Sequence, residues 1–150
     1  MKFSDVRLSV NESGSSRVNI PEKWGQGRAT FGGLVAAIMF EKIVPVVSEG
    51  RKVRSMMVSF VAPVEPGEMD ITVSLLREGK SATQVQATAC QNDQVCAVVL
   101  ASFGGDRESS VSITPELGPD MTPPDNVQAF PFIPGLTPDF TPYFDSRYVV

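Results

Sequence analysis

The chain has 150 residues, enough for one domain with a core of its own and short of what two would need. Apolar residues make up 42% and charged residues 20%, with a mean hydropathy of +0.01, the profile of a globular protein rather than a disordered or fibrous one. A net charge of −4, with only 13 scattered Lys and Arg, argues against the basic surface of a nucleic-acid binder.

The chain has no histidine. That removes the Ser-His-Asp triad, the Cys-His dyad and any histidine-containing metal site from within it. Cys90 and Cys96 are too few for a disulfide scaffold or a four-cysteine zinc site, so neither metal nor cofactor is expected. The opening MKFSDVRLSV lacks the apolar stretch of a secretory signal. The longest apolar runs, 34–40 and 95–101, fall well short of the roughly 20 residues of a membrane span. No membrane partner is expected, and a cytoplasmic location is the default.

In chain order, Val6–Val10 and Ser16–Ile20 are short, partly alternating segments that predict strands. From Phe31 to about Pro45 the apolar spacing of Leu34, Val35, Ile38, Met39, Ile43 and Val44 predicts a long helix, with Thr30 as N-cap. Ala36, Ala37 and Phe40 make it apolar almost all round until Glu41-Lys42, so it belongs inside the protein. Pro45 ends or kinks it. Four strands follow: Val53–Ala62, Glu68–Leu76, Ser81–Cys90 and Val95–Phe103. In the first, Met56, Val58 and Phe60 share a face opposite Ser55, Met57 and Ser59; in the second, Met69, Ile71, Val73 and Leu75 lie opposite Asp70, Thr72 and Ser74. Turn signals separate them at Pro63 and Pro66-Gly67, Glu78-Gly79 and Asn92-Asp93. The predicted order is β-β-α-β-β-β-β, an α+β fold with one buried helix and an antiparallel sheet of consecutive hairpins.

With Asn92-Asp93 as a two-residue loop, Cys90 lies across from Val95 and Cys96 across from Ala89. The two thiols then point to opposite sides of the sheet and form no disulfide. A three-residue loop would place them opposite each other. After residue 105 the pattern changes: eight of the twelve prolines fall between Pro115 and Pro142. Such a stretch cannot supply central strands and reads as a linker, or as an extended arm lying on something else.

Three segments carry a family resemblance. Gly27-Arg28-Ala29-Thr30-Phe31-Gly32-Gly33-Leu34 resembles a G-R-x-x-F-G-G approach to a central helix. Val53-Arg54-Ser55-Met56-Met57-Val58-Ser59-Phe60, followed by Pro63, is similar to a strand running into a proline-bearing turn. Leu76-Arg77-Glu78-Gly79-Lys80-Ser81, through Gln91-Asn92-Asp93 to Ala101-Ser102-Phe103, resembles an L-R-x-G-x-S strand start, a Q-N-G hairpin and a closing A-S-F. In this order, over roughly residues 20–105, they resemble the first repeat of the acyl-CoA thioesterase II family, whose chains hold two hotdog repeats. The resemblance implies a hotdog fold, an antiparallel β-sheet wrapped around one long central helix. It divides the chain into a hotdog domain (1–105), a proline-rich linker (106–138) and the start of a truncated second repeat (139–150), the last on the likeness of Asp139–Val150 to that repeat's opening.

The resemblance implies acyl-CoA thioester hydrolysis, with the family's catalytic Asp, Thr and Gln in the second repeat and outside this sequence. The Gly32-Gly33 step offers N–H groups at a helix N-terminus, which can hold the oxyanion that develops on a thioester carbonyl. Gly33 is therefore a candidate backbone donor, with Thr30, Phe31 and Gly32 beside the substrate; the plainer reading is that the glycines permit close packing. Smaller hotdog thioesterases commonly carry His before Gly-Gly and a carboxylate in the helix. Phe31 stands in place of the first and Phe40 in place of the second, and Glu41, one residue late, is turned about 100° away. Glu41 is a candidate catalytic carboxylate or a paired charge at the helix edge. By resemblance, the turn with Arg77, Lys80 and Ser81 approaches the phosphates or pantetheine of CoA; as bare features these are surface charges and a turn serine. Arg54, on an otherwise apolar strand face, requires a partner such as Glu41 or a domain interface.

Two functions from different classes stand against each other. One is an acyl-CoA thioesterase-like hydrolase of which this chain is the N-terminal half. The alternative is a catalytically silent hotdog domain that binds acyl groups or CoA, or only assembles. A hydratase on the same scaffold commonly needs the absent histidine. An isolated repeat would leave a sheet edge uncovered, so a homodimer or pairing with a second repeat is expected.

Overall fold

The computed structural model describes residues 1–12 and 16–148. The chain runs α1 (Phe3–Glu12), β1 (Arg17–Ile20), β2 (Gly25–Gln26), β3 (Ala29–Thr30), α2 (Gly32–Ile43), β4 (Lys52–Phe60), β5 (Gly67–Glu78), β6 (Thr83–Gln91) and β7 (Gln94–Gly104). One antiparallel sheet has the order β1-β5-β6-β7-β4, and β2 and β3 form a small separate ribbon. Helix α2 packs on β5 and β6 of this sheet, and α1 packs against α2. The α+β hotdog architecture expected from the sequence is the one observed.

The first segment is corrected. Val6–Val10 is not a strand but part of α1. Val6, Leu8 and Val10 alternate, yet Val6 and Val10 also stand four apart, and so short a segment fits either period. The helical reading wins because it buries both valines in the core while Leu8 stays 60% exposed. Ser16–Ile20 holds as β1, with Val18 and Ile20 buried.

Helix α2 begins at Gly32, and Phe31, not Thr30, occupies the N-cap without any side-chain cap. Thr30 instead closes the β2–β3 ribbon, buried, its N–H donating to the Val64 carbonyl at 2.7 Å. Leu34, Val35, Ile38, Met39 and Ile43 are buried as their spacing requires. Pro45 has no N–H for the Glu41 carbonyl, and the helix tightens into a 3-10 turn over Val44–Val46.

The sheet is not a run of consecutive hairpins. β4 pairs with β7 rather than β5, and β1 pairs with β5, so β1 and β4 form the two edges. The connection carrying Pro63 and Pro66 crosses from one edge region to the other. It is pinned by buried Val64 and by the Gln91 amide, which accepts from the Glu65 N–H and donates to the Glu65 and Glu68 carbonyls. The facing predictions hold: Ser55, Ser59, Thr72 and Ser74 are exposed, and Met69 and Ile71 are buried.

At the β6–β7 turn, Asn92 and Asp93 adopt φ of 49° and 60°, the left-handed pair of a two-residue turn, and Cys90 lies opposite Val95 as predicted. Cys96 is not opposite Ala89: a bulge shifts the register so that Ala89 faces Ala97. Both cysteines are free, Cys96 buried and Cys90 half-buried. Asp93→Gly removes the Cβ penalty at that positive φ and is expected to raise stability by about 0.5–1 kcal/mol, read from the urea midpoint.

The 106–138 stretch contains one 3-10 turn, Pro124–Asn126, and no strand. Beyond it the chain folds back. Arg147 donates to the Pro124 and Val127 carbonyls and pairs with Asp145, whose carboxyl the guanidinium's hydrogen bond holds below its usual range. The intervening loop docks its aromatic tip on the domain.

Candidate active site

Gly32 and Gly33 are the first two residues of α2, where N–H groups have no carbonyl four residues back. The chain enters the helix at a fixed angle because the Phe31 N–H donates to the Trp24 carbonyl at 2.8 Å, and the Leu34 N–H closes on Phe31 at 3.0 Å. Glycine lets aromatic rings lie close at both positions. A Cβ on Gly32 would lie 2.8 Å from Phe60 Cζ, and one on Gly33 would lie 2.4 Å from Phe31 Cε1. The glycines thus have a packing role: the rings of Phe60 and Phe31 lie against the N-terminal turn of the helix.

The two glycines open onto different hollows. Gly32 faces one of about 410 Å³, walled by Thr30, Val35, Phe60 and the 61–64 connection. Gly33 borders an apolar one of about 280 Å³ between Phe3, Trp24, Phe31 and Phe144. There Phe31 stacks on Phe140 with ring centroids 4.1 Å apart. Phe31, the Phe of the G-R-x-x-F-G-G pattern, is therefore an aromatic wall of that hollow.

Glu41 sits eight residues beyond Gly33, about 12 Å along the helix. Its carboxylate accepts from Arg7 and Asn11 of α1 and is 15% exposed. The structure does not bring it to the helix N-terminus. Phe40, beside it, stacks on Phe103. Lys42 donates to the Val10 carbonyl at 2.6 Å, and burial lowers its pKa. These contacts join α1 to α2.

Arg77, Lys80 and Ser81 do not form one group. Arg77 is exposed on β5 opposite Gln84, just past a bulge. Lys80 and Ser81 border a hollow of about 500 Å³ with Glu49, Arg51, Asp106 and Arg107. Ser81, Asp106 and Arg107 also border its neighbour of about 590 Å³, which adds Arg54 and Ser102. Arg54 pairs with Asp106 at 3.1 Å and the Gly105 carbonyl at 2.9 Å, not with Glu41. It stands at a β4 bulge, which explains a charge on an apolar strand. Sequence reasoning missed Arg51, Asp106 and Arg107. The run Arg51-Lys52-Val53-Arg54 was the available signal for the first, whereas Asp106 and Arg107 lie past the last predicted strand, where periodicity says nothing.

Among the described residues, no group of His, Cys, Asp or Glu could hold a metal ion, and no helix is long and apolar enough to cross a membrane.

The fold matches solved structures. A conserved hot dog fold protein of unknown function from Alicyclobacillus acidocaldarius superposes with a TM-score of 0.71 and 24% identity, covering 84% of this chain and 47% of that one. The acyl-CoA thioesterase II TesB2 of Mycobacterium marinum gives 0.63 and 23%, covering 75% and 41%. The tesB protein of Mycobacterium avium subs paratuberculosis gives 0.66 and 20%, covering 83% and 50%. The chain thus spans half or less of each of these proteins. No curated protein matches the sequence. The family model for the acyl-CoA thioesterase N-terminal domain matches residues 20–104, more than half the chain, and the chain belongs to that family.

Proposed function

We propose that this chain is the N-terminal hotdog repeat of an acyl-CoA thioester hydrolase, supplying scaffold and carbonyl-polarising donors, while the group that activates water comes from a second repeat. The observation that carries this reading is the separation of the two halves of the chemistry. Gly32 and Gly33, at the N-terminus of α2, each border a hollow, and the carboxylate of α2, Glu41, is engaged by α1 about 12 Å away. Hydrolysis needs both a stabilised oxyanion and a base to take the proton of water. The N-terminus of α2 supports the first, and the engagement of Glu41 by α1 supports a source outside this chain for the second.

The edge strand supports the same reading. On the core-side face of β4, Met56 is 42% and Phe60 57% exposed. An edge strand with apolar residues on its inner face calls for a partner sheet. A second repeat or a second copy of this chain fits that place, so the isolated chain is expected to dimerise. Light scattering at micromolar concentration checks this, and a monodisperse monomer would contradict it.

A binding domain without turnover is the second reading, and the engagement of Glu41 by Arg7 and Asn11 favours it for this chain taken alone. Both readings require the acyl-thioester end to bind. Isothermal titration with a non-hydrolysable thioether analogue of an acyl-CoA is expected to show binding that Phe60→Ala weakens severalfold, since Phe60 walls the hollow at Gly32. No binding at millimolar analogue would overturn both. The cytoplasm suits such a substrate and is proposed as the location.

A further inference from the structure

Charged residues make up 20% of this chain, and a sheet face left in water ordinarily takes more than its share of them. The outer face of the main sheet, turned away from α2, does not. Its central row of side chains runs from Ser74 on β5 through Gln86 and Leu100 to Met57 on β4. The next row, from Thr72 to Ser59, is uncharged as well. Both rows are open: Met57 is 64% and Leu100 38% exposed, and Thr72, Ser74 and Ser59 are exposed. Polar groups on this face also satisfy one another, since the Ser102 hydroxyl donates to the Gln84 amide oxygen at 2.8 Å. Such a face can be covered without stranding them.

The charges of this face stand at the two ends of β5, about 20 Å apart. At one end Arg77 is exposed and, among the described residues, forms no ion pair. At the other, Asp70 and Glu68 share Arg17 of β1, which leaves that corner with an excess of negative charge. Arg54, past the β4 end of the Arg77 row, is already paired with Asp106. A nucleic acid or an anionic membrane would ask for several cations here, and the face offers one. Opposite signs at the ends of one strand, with an uncharged field between them, instead fit the same face turned end for end. Arg77 of each copy then meets the Asp70 corner of the other, and the contact is made twice.

We propose that the outer face of the sheet is a self-association surface, on which two copies of this chain pack face to face with their β5 strands antiparallel. A two-fold axis across the strands lays each strand over its own copy. Met57 and Leu100, neighbours on β4 and β7, then form an apolar centre near that axis, and the Arg77 and Asp70 ends close the rim. Depletion of charge at the centre with paired charges at the edge is the make-up of a protein interface. This surface is separate from the inner side of the β4 edge, so the two contacts together give an assembly of four chains.

Sedimentation equilibrium of the 150-residue chain over a concentration series tests it. The parent is expected to reach four chains, paired through edges and faces. Arg77→Glu sets like charges together at both ends, and Ser74→Glu places a charge at the centre. Each should weaken face pairing about tenfold or more and stop assembly at two chains. Both positions are exposed, so the fold should be kept, which circular dichroism checks. Asp70→Lys combined with Arg77→Glu exchanges the signs, leaves Glu68 to Arg17, and should restore four chains. Face pairing that neither glutamate variant weakens, or that the exchange fails to restore, overturns the proposal, as does a monomeric parent. The two interfaces fail separately. A parent dimer dissociated by Phe60→Lys on the β4 edge but not by Arg77→Glu removes the face and leaves the edge. A parent dimer dissociated by Arg77→Glu but not by Phe60→Lys removes the edge and leaves the face.

Discussion

Replacing Trp24 with alanine is expected to lower the unfolding free energy by about 3–5 kcal/mol, one of the two largest losses a single substitution should produce in this chain. Trp24 is its only tryptophan and is 1% exposed. Its ring stacks on Tyr143 with centroids 4.3 Å apart and planes within 6°, and meets Phe144 edge-on at 6.2 Å. Phe3 approaches at 6.4 Å, and the indole N–H donates to the Met1 carbonyl at 3.2 Å. One side chain therefore joins the N-terminus, the loop that enters α2, and the C-terminal segment. Truncation leaves a cavity and strips three rings of their partner. Urea denaturation followed by circular dichroism measures the loss, and Trp24→Phe should recover part of it. A loss below about 1 kcal/mol would show that the aromatic junction adds little beyond ordinary surface packing. Tyr143→Ala, by contrast, should loosen the tail while the sheet and helix keep most of their stability, because Tyr143 is only partly buried and packs on the core from outside.

Met39→Ala is the second large effect, a loss of about 2–5 kcal/mol. Met39 is fully buried at the middle of α2, with Leu34, Val35, Ile38 and Ile43. The sheet beneath presents Ala87, Ala89, Ala97 and Ala101, all fully buried, with Val85 and Val99 between them. Small residues on the strands let the helix lie close, so the methionine fills most of the remaining space and its loss cannot be made good by a shorter neighbour. A urea midpoint within error of the parent would contradict this account of the core. Met39→Leu, which conserves volume, should cost less than about 1.5 kcal/mol.

How much of this was legible beforehand depended on whether a period could be seen. Helix α2 was, because its apolar positions repeat over nearly three turns and Pro45 marks its end. The four long strands were, because three alternate and the last is a nearly continuous apolar run, all between recognisable turns, of which Asn92-Asp93 gave the tightest. Helix α1 was not: over so few residues, valines four apart satisfy both periods, and only tertiary burial decides. The sheet order was not either, since consecutive strands need not pair, and the proline-bearing connection after β4 carries the chain away from that edge. At the candidate site, Gly32 and Gly33 were found from their place before a helix. The engagement of Glu41 by Arg7 and the convergence of Arg51, Lys80 and Arg107 were hidden, because each joins residues more than 20 positions apart. Side chains that meet through the fold leave no spacing to read.

The central claim is that this repeat polarises a thioester without being able to hydrolyse it. Thiol release by the 150-residue chain, measured with short, medium and aryl acyl-CoAs, tests that most directly. The account predicts release at the uncatalysed rate, in the parent and in Glu41→Gln alike. Clear turnover by the chain alone, lost on changing Glu41 to glutamine, would place the chemistry in this repeat and contradict it.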